Sequence, residues 1–141
     1  MLNQKFCTPV FSFGLNGLHE QIAVFAERFE FNSLNNIGEL KYEKNKILIL
    51  PEAIWTELVV RRLASQLPVV VVADEGDKHP SRWYNLGCCR VVQQPCPAAL
   101  IASAVQEVLE ELEGLVPDWK RLRYRRRFQK DWQPKVYHSY L

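Results

Sequence analysis

Three short apolar runs, separated by segments of helical length, constrain most strongly how this chain can fold. They occupy residues 47–50, 69–72 and 89–92. The first two runs are continuously apolar rather than alternating in polarity, which is typical of strands that are covered on both faces, and the third contains Arg90 between apolar residues. Because helix-like segments separate the runs, the pattern predicts β-α-β units with parallel strands and right-handed crossovers.

The N-terminal part supplies two further strands. Residues 5–13 predict the first strand, and residues 30–34 predict a short second one. Between them, apolar spacings of three and four predict a helix with one apolar face, formed by Leu15, Leu18, Ile22, Phe25 and Phe29. Residues 39–45 are charged and weakly patterned, so we expect a loop or a short degenerate helix there.

Three helices are predicted in the second half of the chain. Pro51 suits the first turn of a helix, whose buried side we expect to carry Ile54, Leu58, Leu63 and Leu67. Residues 81–86 predict a short helix that ends at Gly87, and residues 97–115 predict a long one. We therefore predict an α/β fold for residues 1–115, a five-stranded parallel sheet with helices on both faces, followed by a C-terminal extension of residues 116–141.

Composition excludes several classes of protein. With 141 residues, 48% hydrophobic and 24% charged, the chain has the size and composition of one globular domain. It has neither a run long enough to span a bilayer nor a signal-peptide pattern at its start. We expect a cytoplasmic protein without membrane contact.

Without a CxxC pair, we expect reduced, buried thiols rather than a metal site at Cys7, Cys88, Cys89 and Cys96.

Charge is divided unevenly along the chain. Residues 1–117 have a net charge of −4, whereas residues 118–141 have a net charge of +6. In the extension, basic residues alternate with aromatic ones, which suits stacking and phosphate or carboxylate binding; the candidate binding residues are Trp119, Arg123, Arg125, Arg126 and Arg127. One interpretation is binding of DNA, RNA or an acidic protein through residues 120–130. The other is an extra helix that packs its aromatics on the domain.

Few residues suggest catalysis. There is no GxGxxG or Walker A sequence, and Ser12, His19 and His79 form no recognisable arrangement of nucleophile and base. Asp74, Glu75 and Asp77 follow a strand and could bind a divalent cation with Glu52 nearby, but a solvated loop is the simpler interpretation. We therefore expect neither catalytic residues nor a cofactor, and a protein that is not an enzyme.

The element order resembles the flavodoxin-like layout, and residues 47–112 more specifically resemble a response-regulator receiver domain. Three stretches carry the resemblance. Residues 47–50 match the phospho-accepting strand, residues 67–73 match a fourth strand preceded by proline, and residues 87–95 match the glycine, the fifth strand and the Lys-Pro step.

The chain departs from the receiver pattern where that family carries its chemistry. The resemblance places the aspartate nucleophile at Pro51, with Glu52 one residue late, the switch hydroxyl at Ala73 and the lysine at Gln94. No acidic pair follows the first strand. The chain therefore resembles a pseudo-receiver, which keeps the scaffold and lacks the phosphorylation site.

A pseudo-receiver implies a phosphorylation-independent interaction module in signalling or transcription control. Receivers use the surface around their last helices for dimerisation and partner contacts. Here that surface includes residues 81–86, Arg90 and the outer face of residues 97–115. Trp83 and Tyr84 are either partner contacts or core residues, and the expected partner is another protein or a second copy of the chain. Nucleic-acid binding through the extension is the alternative function.

Overall fold

Strands and helices alternate along the part of the chain that the structure describes, which comprises residues 6–15, 17–26, 29–36, 46–52, 57–114 and 136–137. In this computed structural model the strands are β1 (Phe6–Phe13), β2 (Phe29–Leu34), β3 (Ile47–Pro51), β4 (Val69–Ala73), β5 (Arg90–Gln93) and β6 (Val136–Tyr137). The helices within these ranges are α1 (Leu18–Ala23), α2 (Glu57–Ala64), α3 (Arg82–Asn85) and α4 (Ala98–Gly114).

The strands form one sheet in the order β2-β1-β3-β4-β5-β6. All five neighbouring pairs are parallel, which confirms the predicted parallel sheet and is compatible with a flavodoxin-like fold. The predicted number of five strands is wrong. A sixth strand, β6, pairs with β5 through Val91 opposite Val136 and Val92 opposite Tyr137, so the C-terminal extension contributes to the sheet.

Both faces of the sheet are covered, as the continuous apolar runs predict. In β3, Ile47 and Ile49 face one apolar cluster with α1 and α4, while Leu48 and Leu50 face a second cluster with α2 and α3. All four side chains are fully buried. The strand therefore has no solvent-facing side, and this is why it shows no alternation of polar and apolar residues.

The first helix is shorter than its spacing predicts. α1 ends at Ala23, Phe25 is 51% exposed, and Phe29 is the first residue of β2, where it pairs with Phe6. Sheet pairing and burial of Phe29 override the helical spacing, because a strand places that side chain in the core.

The second helix also differs from its prediction. Pro51, expected in the first turn of the helix, is the last residue of β3, where it pairs with Val72. Leu58, expected on the buried side, is 67% exposed, whereas Val60 and Leu63 are buried. The buried face of α2 is therefore rotated away from Leu58. Ile54 lies outside the described residues.

The last two helices agree with the sequence. α3 is followed by Gly87 with φ of 108°, a left-handed conformation that glycine adopts without steric cost. In α4, Ala104 and Val108 are fully buried. No helix within the described ranges is long and apolar enough to cross a membrane. The predicted loop or helix over residues 39–45 lies outside those ranges.

Candidate functional site

The carboxyl ends of β3, β4 and β5 meet at one edge of the sheet, where parallel folds place their binding sites. Glu52 follows β3, and residues 74–81 connect β4 to α3. Four side chains from these segments and from α3 are in mutual contact. We refer to Glu52, Asp77, Arg82 and Trp83 as the edge cluster.

Glu52 joins the ends of two neighbouring strands. Its Oε2 accepts a hydrogen bond from the backbone N–H of Asp74 at 3.2 Å and lies 3.3 Å from the indole Nε1 of Trp83. The Trp83 Nε1 also lies 3.4 Å from Oδ2 of Asp77. The hypothesis that Glu52 could lie close to the acidic loop is thus confirmed for Asp77.

Arg82 neutralises the carboxylates of this edge. Its Nη1 lies 2.6 Å from each carboxylate oxygen of Asp77, and its Nε donates to Glu57 at 2.9 Å. Its Nη2 lies 3.4 Å from Glu52 Oε1, and the guanidinium sits 4.7 Å from the centre of the Trp83 ring. One cation from α3 therefore binds three carboxylates from three different segments.

The two partly buried carboxyls of the edge cluster have opposite pKa shifts. Burial, followed by the hydrogen bond shared with Asp77, raises the pKa of Glu52. Burial also acts to raise the pKa of Asp77, but hydrogen bonds with Glu52, Arg82 and the His79 N–H outweigh it and lower this pKa to about 2. Glu52 is thus the group that holds a proton more readily, and Asp77 remains the anion that Arg82 binds.

The lowered pKa of Asp77 predicts a loss of stability in acid. Because this pKa is lower in the folded than in the unfolded chain, its contribution is present above about pH 4 and is lost toward pH 2. The raised pKa of Glu52 acts in the opposite direction, since its contribution is lost as the pH rises. We expect the unfolding free energy of Asp77→Asn, measured by urea denaturation, to fall less steeply than wild type between about pH 4 and pH 2.

The matched control for this measurement is Asp74→Asn. Asp74 follows the same strand, but it is exposed to solvent, and this variant should keep the wild-type slope. Parallel curves for Asp77→Asn and wild type would contradict the prediction.

The loop after β4 is held in place by hydrogen bonds to its backbone carbonyl groups. The Gln93 side chain donates to the carbonyl oxygens of Asp74 at 3.1 Å and Asp77 at 2.8 Å. Asp74 and Glu75 are exposed, which agrees with the solvated-loop interpretation for these two residues. In the described part of the chain, no group of three or more His, Cys, Asp or Glu side chains is placed to hold a metal ion.

The positions where a receiver carries its chemistry lie together at this edge. Pro51 and Ala73 end adjacent strands, and the Gln94 N–H donates to the Ala73 carbonyl at 2.9 Å. The Gln94 side chain faces its own loop, where Oε1 accepts from the Cys96 N–H at 3.3 Å, and the Gln94–Pro95 peptide is cis. None of these three positions offers a carboxylate or an ammonium group.

Sequence reasoning missed a contact between Ser12 and His19. Ser12 Oγ lies 2.5 Å from His19 Nδ1, and the imidazole stacks on Phe31 with ring centres 4.1 Å apart. Ser12 lies on a strand and His19 on the following helix, and no known sequence motif has this spacing. Ser12 is only 1% exposed, and the contact ties α1 to β1.

The candidate partner residues of the domain are mostly buried. Trp83 is 1% exposed and Arg90 8% exposed, so Trp83 is a core residue, and little of either side chain is left for a partner. Arg90 donates to the Cys89 carbonyl at 2.8 Å and forms an ion pair with Glu111. Tyr84 is half-buried, and its hydroxyl accepts from the Val91 N–H at 3.2 Å.

The candidate residues of the extension lie outside the described residues. They are Trp119, Arg123, Arg125, Arg126 and Arg127. Within the extension, Val136 and Tyr137 are described, and they form β6. Binding through residues 120–130 stays a prediction.

Comparisons with protein-family models, with curated proteins and with solved structures find no match for this chain. Its function therefore has to be inferred from the fold and from the edge cluster.

Proposed function

We propose that this protein is a phosphorylation-independent, receiver-like interaction module that binds a protein partner in signalling or transcription control. One observation carries the proposal. The carboxylates at the carboxyl edge of the sheet are already bound by Arg82 of the same chain, while Pro51 occupies the position of the nucleophile.

The sheet supports a receiver-like layout. Its first five strands follow the order β2-β1-β3-β4-β5 with every pair parallel. The proline that precedes the fourth strand, Pro68, is buried directly before β4. A parallel sheet with this order and helices on both faces is the scaffold that the sequence resemblance implies.

The contacts of the edge cluster argue against phosphoryl transfer. A phospho-accepting carboxylate needs a free oxygen and a cation that binds the incoming phosphate. Both oxygens of Asp77 contact Arg82, and Glu52 contacts Arg82, Trp83 and the Asp74 N–H. These carboxylates serve to hold α3 against the ends of β3 and β4, which suits a binding module rather than an enzyme.

Incubation with acetyl phosphate and Mg²⁺ tests the absence of phosphorylation. We expect the intact mass of the full chain to stay unchanged, because neither buried carboxylate of the edge cluster has a free oxygen. A stable increase by one phosphate in wild type that disappears in Glu52→Gln or Asp77→Asn would contradict the proposal. The exposed Asp74→Asn variant is the control for nonspecific phosphorylation of a solvent-exposed carboxylate in the same loop.

The partner surface that we propose comprises α3 and the outer face of α4. Tyr84 is half-buried on α3, and Glu110 is exposed on α4, whereas Trp83 and Arg90 support this surface from below. Capture from native lysate with the full chain, compared with Glu110→Lys, tests it. A protein that survives nuclease treatment and is lost with Glu110→Lys supports the proposal.

The same capture separates the alternative of nucleic-acid binding. The alternation of basic with aromatic residues favours that function, as does the net charge of +6 of residues 118–141. Captured material that disappears after nuclease treatment, and that is also lost in a variant with Arg125, Arg126 and Arg127 replaced by glutamine, would favour nucleic-acid binding and contradict a protein partner. Such binding should also weaken steeply with salt.

A further inference from the structure

Two pairs of exposed apolar residues lie on opposite faces of the sheet. In the part of the chain that the structure describes, the large apolar side chains that are exposed are Val24 at 70%, Phe25 at 51%, Leu58 at 67% and Val59 at 36%. The first pair follows α1, which packs with α4 on one face, whereas the second pair belongs to α2 on the other face. Single exposed apolar residues are common, but apolar patches bordered by polar groups mark interaction sites.

Carboxylates accompany the first pair on its face of the sheet. Val24 continues the helical conformation of α1 as its C-terminal cap. The exposed Glu20, four residues earlier, therefore lies on the same side of the helix. On the same face of the sheet, α4 adds the exposed carboxylate of Glu110. We call Glu20, Val24, Phe25 and Glu110 the acidic patch.

Arginines accompany the second pair. Arg61 and Arg62 are exposed and follow Leu58 by three and four residues, so they lie on the same side of α2. Glu57, an exposed acid of this helix, forms an ion pair with Arg82 at 2.9 Å, which offsets its charge. This side of α2 is therefore positively charged. We call Leu58, Val59, Arg61 and Arg62 the basic patch.

The two patches complement each other but cannot meet within one molecule, because the sheet lies between them. A contact between a basic patch and an acidic patch therefore joins two copies. A two-fold contact through either patch would place arginines against arginines or carboxylates against carboxylates, and like-charge repulsion disfavours both. The contact between unlike patches is heterologous, and it leaves one patch of each kind uncovered at the two ends of the assembly.

We propose that the basic patch of one copy docks on the acidic patch of a second copy, so that the chain assembles head to tail. This inference rests on the proposed function as an interaction module and names a second copy as one partner. In this contact the exposed apolar side chains of the two patches cover one another, and the arginines of α2 pair with Glu20 and Glu110. Apolar burial stabilises the contact, and the charges fix its orientation.

Sedimentation velocity of the full chain over a range of concentrations tests the assembly. We expect the sedimentation coefficient of wild type to rise with concentration beyond that of a dimer, because each added copy brings a new uncovered patch. Leu58→Ser and Phe25→Ser each remove one exposed apolar side chain from a different patch, and each should weaken the association by about tenfold. Because both positions are exposed, circular dichroism should show that both variants are folded.

Mixing these two variants tests the direction of the contact. Leu58→Ser has an intact acidic patch, and Phe25→Ser has an intact basic patch. At a concentration where each variant alone is monomeric, their equimolar mixture should form a dimer that contains one copy of each and does not grow further. A two-fold contact through one patch would instead let one of the two variants dimerise alone, and this result would contradict the proposal.

Charge reversal tests the pairing of the two patches. Glu20→Arg alone, or Arg61→Glu together with Arg62→Glu, should weaken the association by about tenfold, since each replaces attraction by repulsion. A chain that carries these substitutions in both patches should associate more tightly than a chain with either patch reversed. The matched control is Lys78→Glu, a charge reversal at an exposed residue outside both patches, which should assemble like wild type.

The inference is overturned by a wild type that stays monomeric at all concentrations, or by an assembly that the patch variants leave unchanged. An assembly that nuclease treatment abolishes would assign the basic patch to nucleic acid and would also overturn it. If a charge-reversal variant is unfolded, the mixture of Leu58→Ser and Phe25→Ser decides. A wild-type monomer that still captures a nuclease-resistant protein through α4 would leave the proposed function standing. An assembling chain that becomes phosphorylated on Glu52 would contradict the proposed function alone.

Discussion

Replacing Trp83 with alanine should lower the free energy of unfolding by about 3 to 5 kcal/mol, the range for removing a large aromatic side chain from a packed core. Trp83 is 1% exposed and packs in the cluster of α2 and α3. Its indole also contacts the carboxylates of Glu52 and Asp77 and the guanidinium of Arg82. Truncation therefore leaves a cavity beneath α3 and removes a hydrogen-bond donor from two partly buried carboxylates. Urea denaturation measures the loss.

Trp83→Phe separates packing from hydrogen bonding. Phenylalanine keeps most of the buried ring but has no N–H, so we expect a smaller loss of about 1 to 3 kcal/mol, the cost of leaving buried acceptors without their donor. In a Glu52→Gln background, an uncharged amide replaces the carboxylate beside the Trp83 N–H. The additional loss of unfolding free energy from Trp83→Phe should then be smaller than in wild type. An equal loss for alanine and phenylalanine, or a loss below about 1 kcal/mol for alanine, would show that Trp83 does not support this edge.

Replacing Arg82 with glutamine should cost about 2 to 3 kcal/mol, below the 3 to 5 kcal/mol that breaking a fully buried ion pair costs. The expected cost is below that of a fully buried ion pair because the Arg82 side chain is 33% exposed, whereas that of Asp77 is 5% exposed. The variant leaves the Asp77 and Glu52 carboxylates close together without their cation. We also expect the penalty to decrease in acid, since protonation of Asp77 removes the charge that needs Arg82.

A double-mutant cycle assigns this penalty to the pair. Adding Asp77→Asn to Arg82→Gln should recover part of the lost stability, because the uncompensated buried charge is then absent. Arg61→Gln is the matched control, since Arg61 is an exposed arginine of α2, and its effect should stay within about 0.5 kcal/mol. Strict additivity of the two substitutions would contradict the coupling inferred for the edge cluster.

Local sequence predicted most elements, but it misplaced several boundaries. The runs at residues 47–50 and 69–72 identified β3 and β4, because short, continuously apolar runs between helical segments are typical of strands that are covered on both faces. Gly87 identified the end of α3, since a left-handed residue follows it. Phe29 was predicted as part of a helix, because its spacing from Phe25 fits a helix face, yet pairing with Phe6 places it in β2.

The candidate site was predicted only in outline. Glu52 and the acidic loop were recognised as possible neighbours, because both follow strands whose carboxyl ends meet at one edge. The role of Arg82 was not predicted, since a single arginine before a tryptophan has no distinctive pattern. The contact between Ser12 and His19 was missed for the same reason, and the side chains meet only after β1 and α1 pack together.

The sequence by itself determined the parallel α/β scaffold and the absence of a carboxylate or lysine at Pro51, Ala73 and Gln94, because strand burial and residue chemistry are local properties of the chain. Only the tertiary structure decided that Arg82 binds the carboxylates of this edge and that Tyr137 returns to β5. These contacts join segments that are distant in sequence. Which side chains meet depends on where the parallel strands end and on which edge of the sheet is available for pairing. No local sequence pattern encodes either.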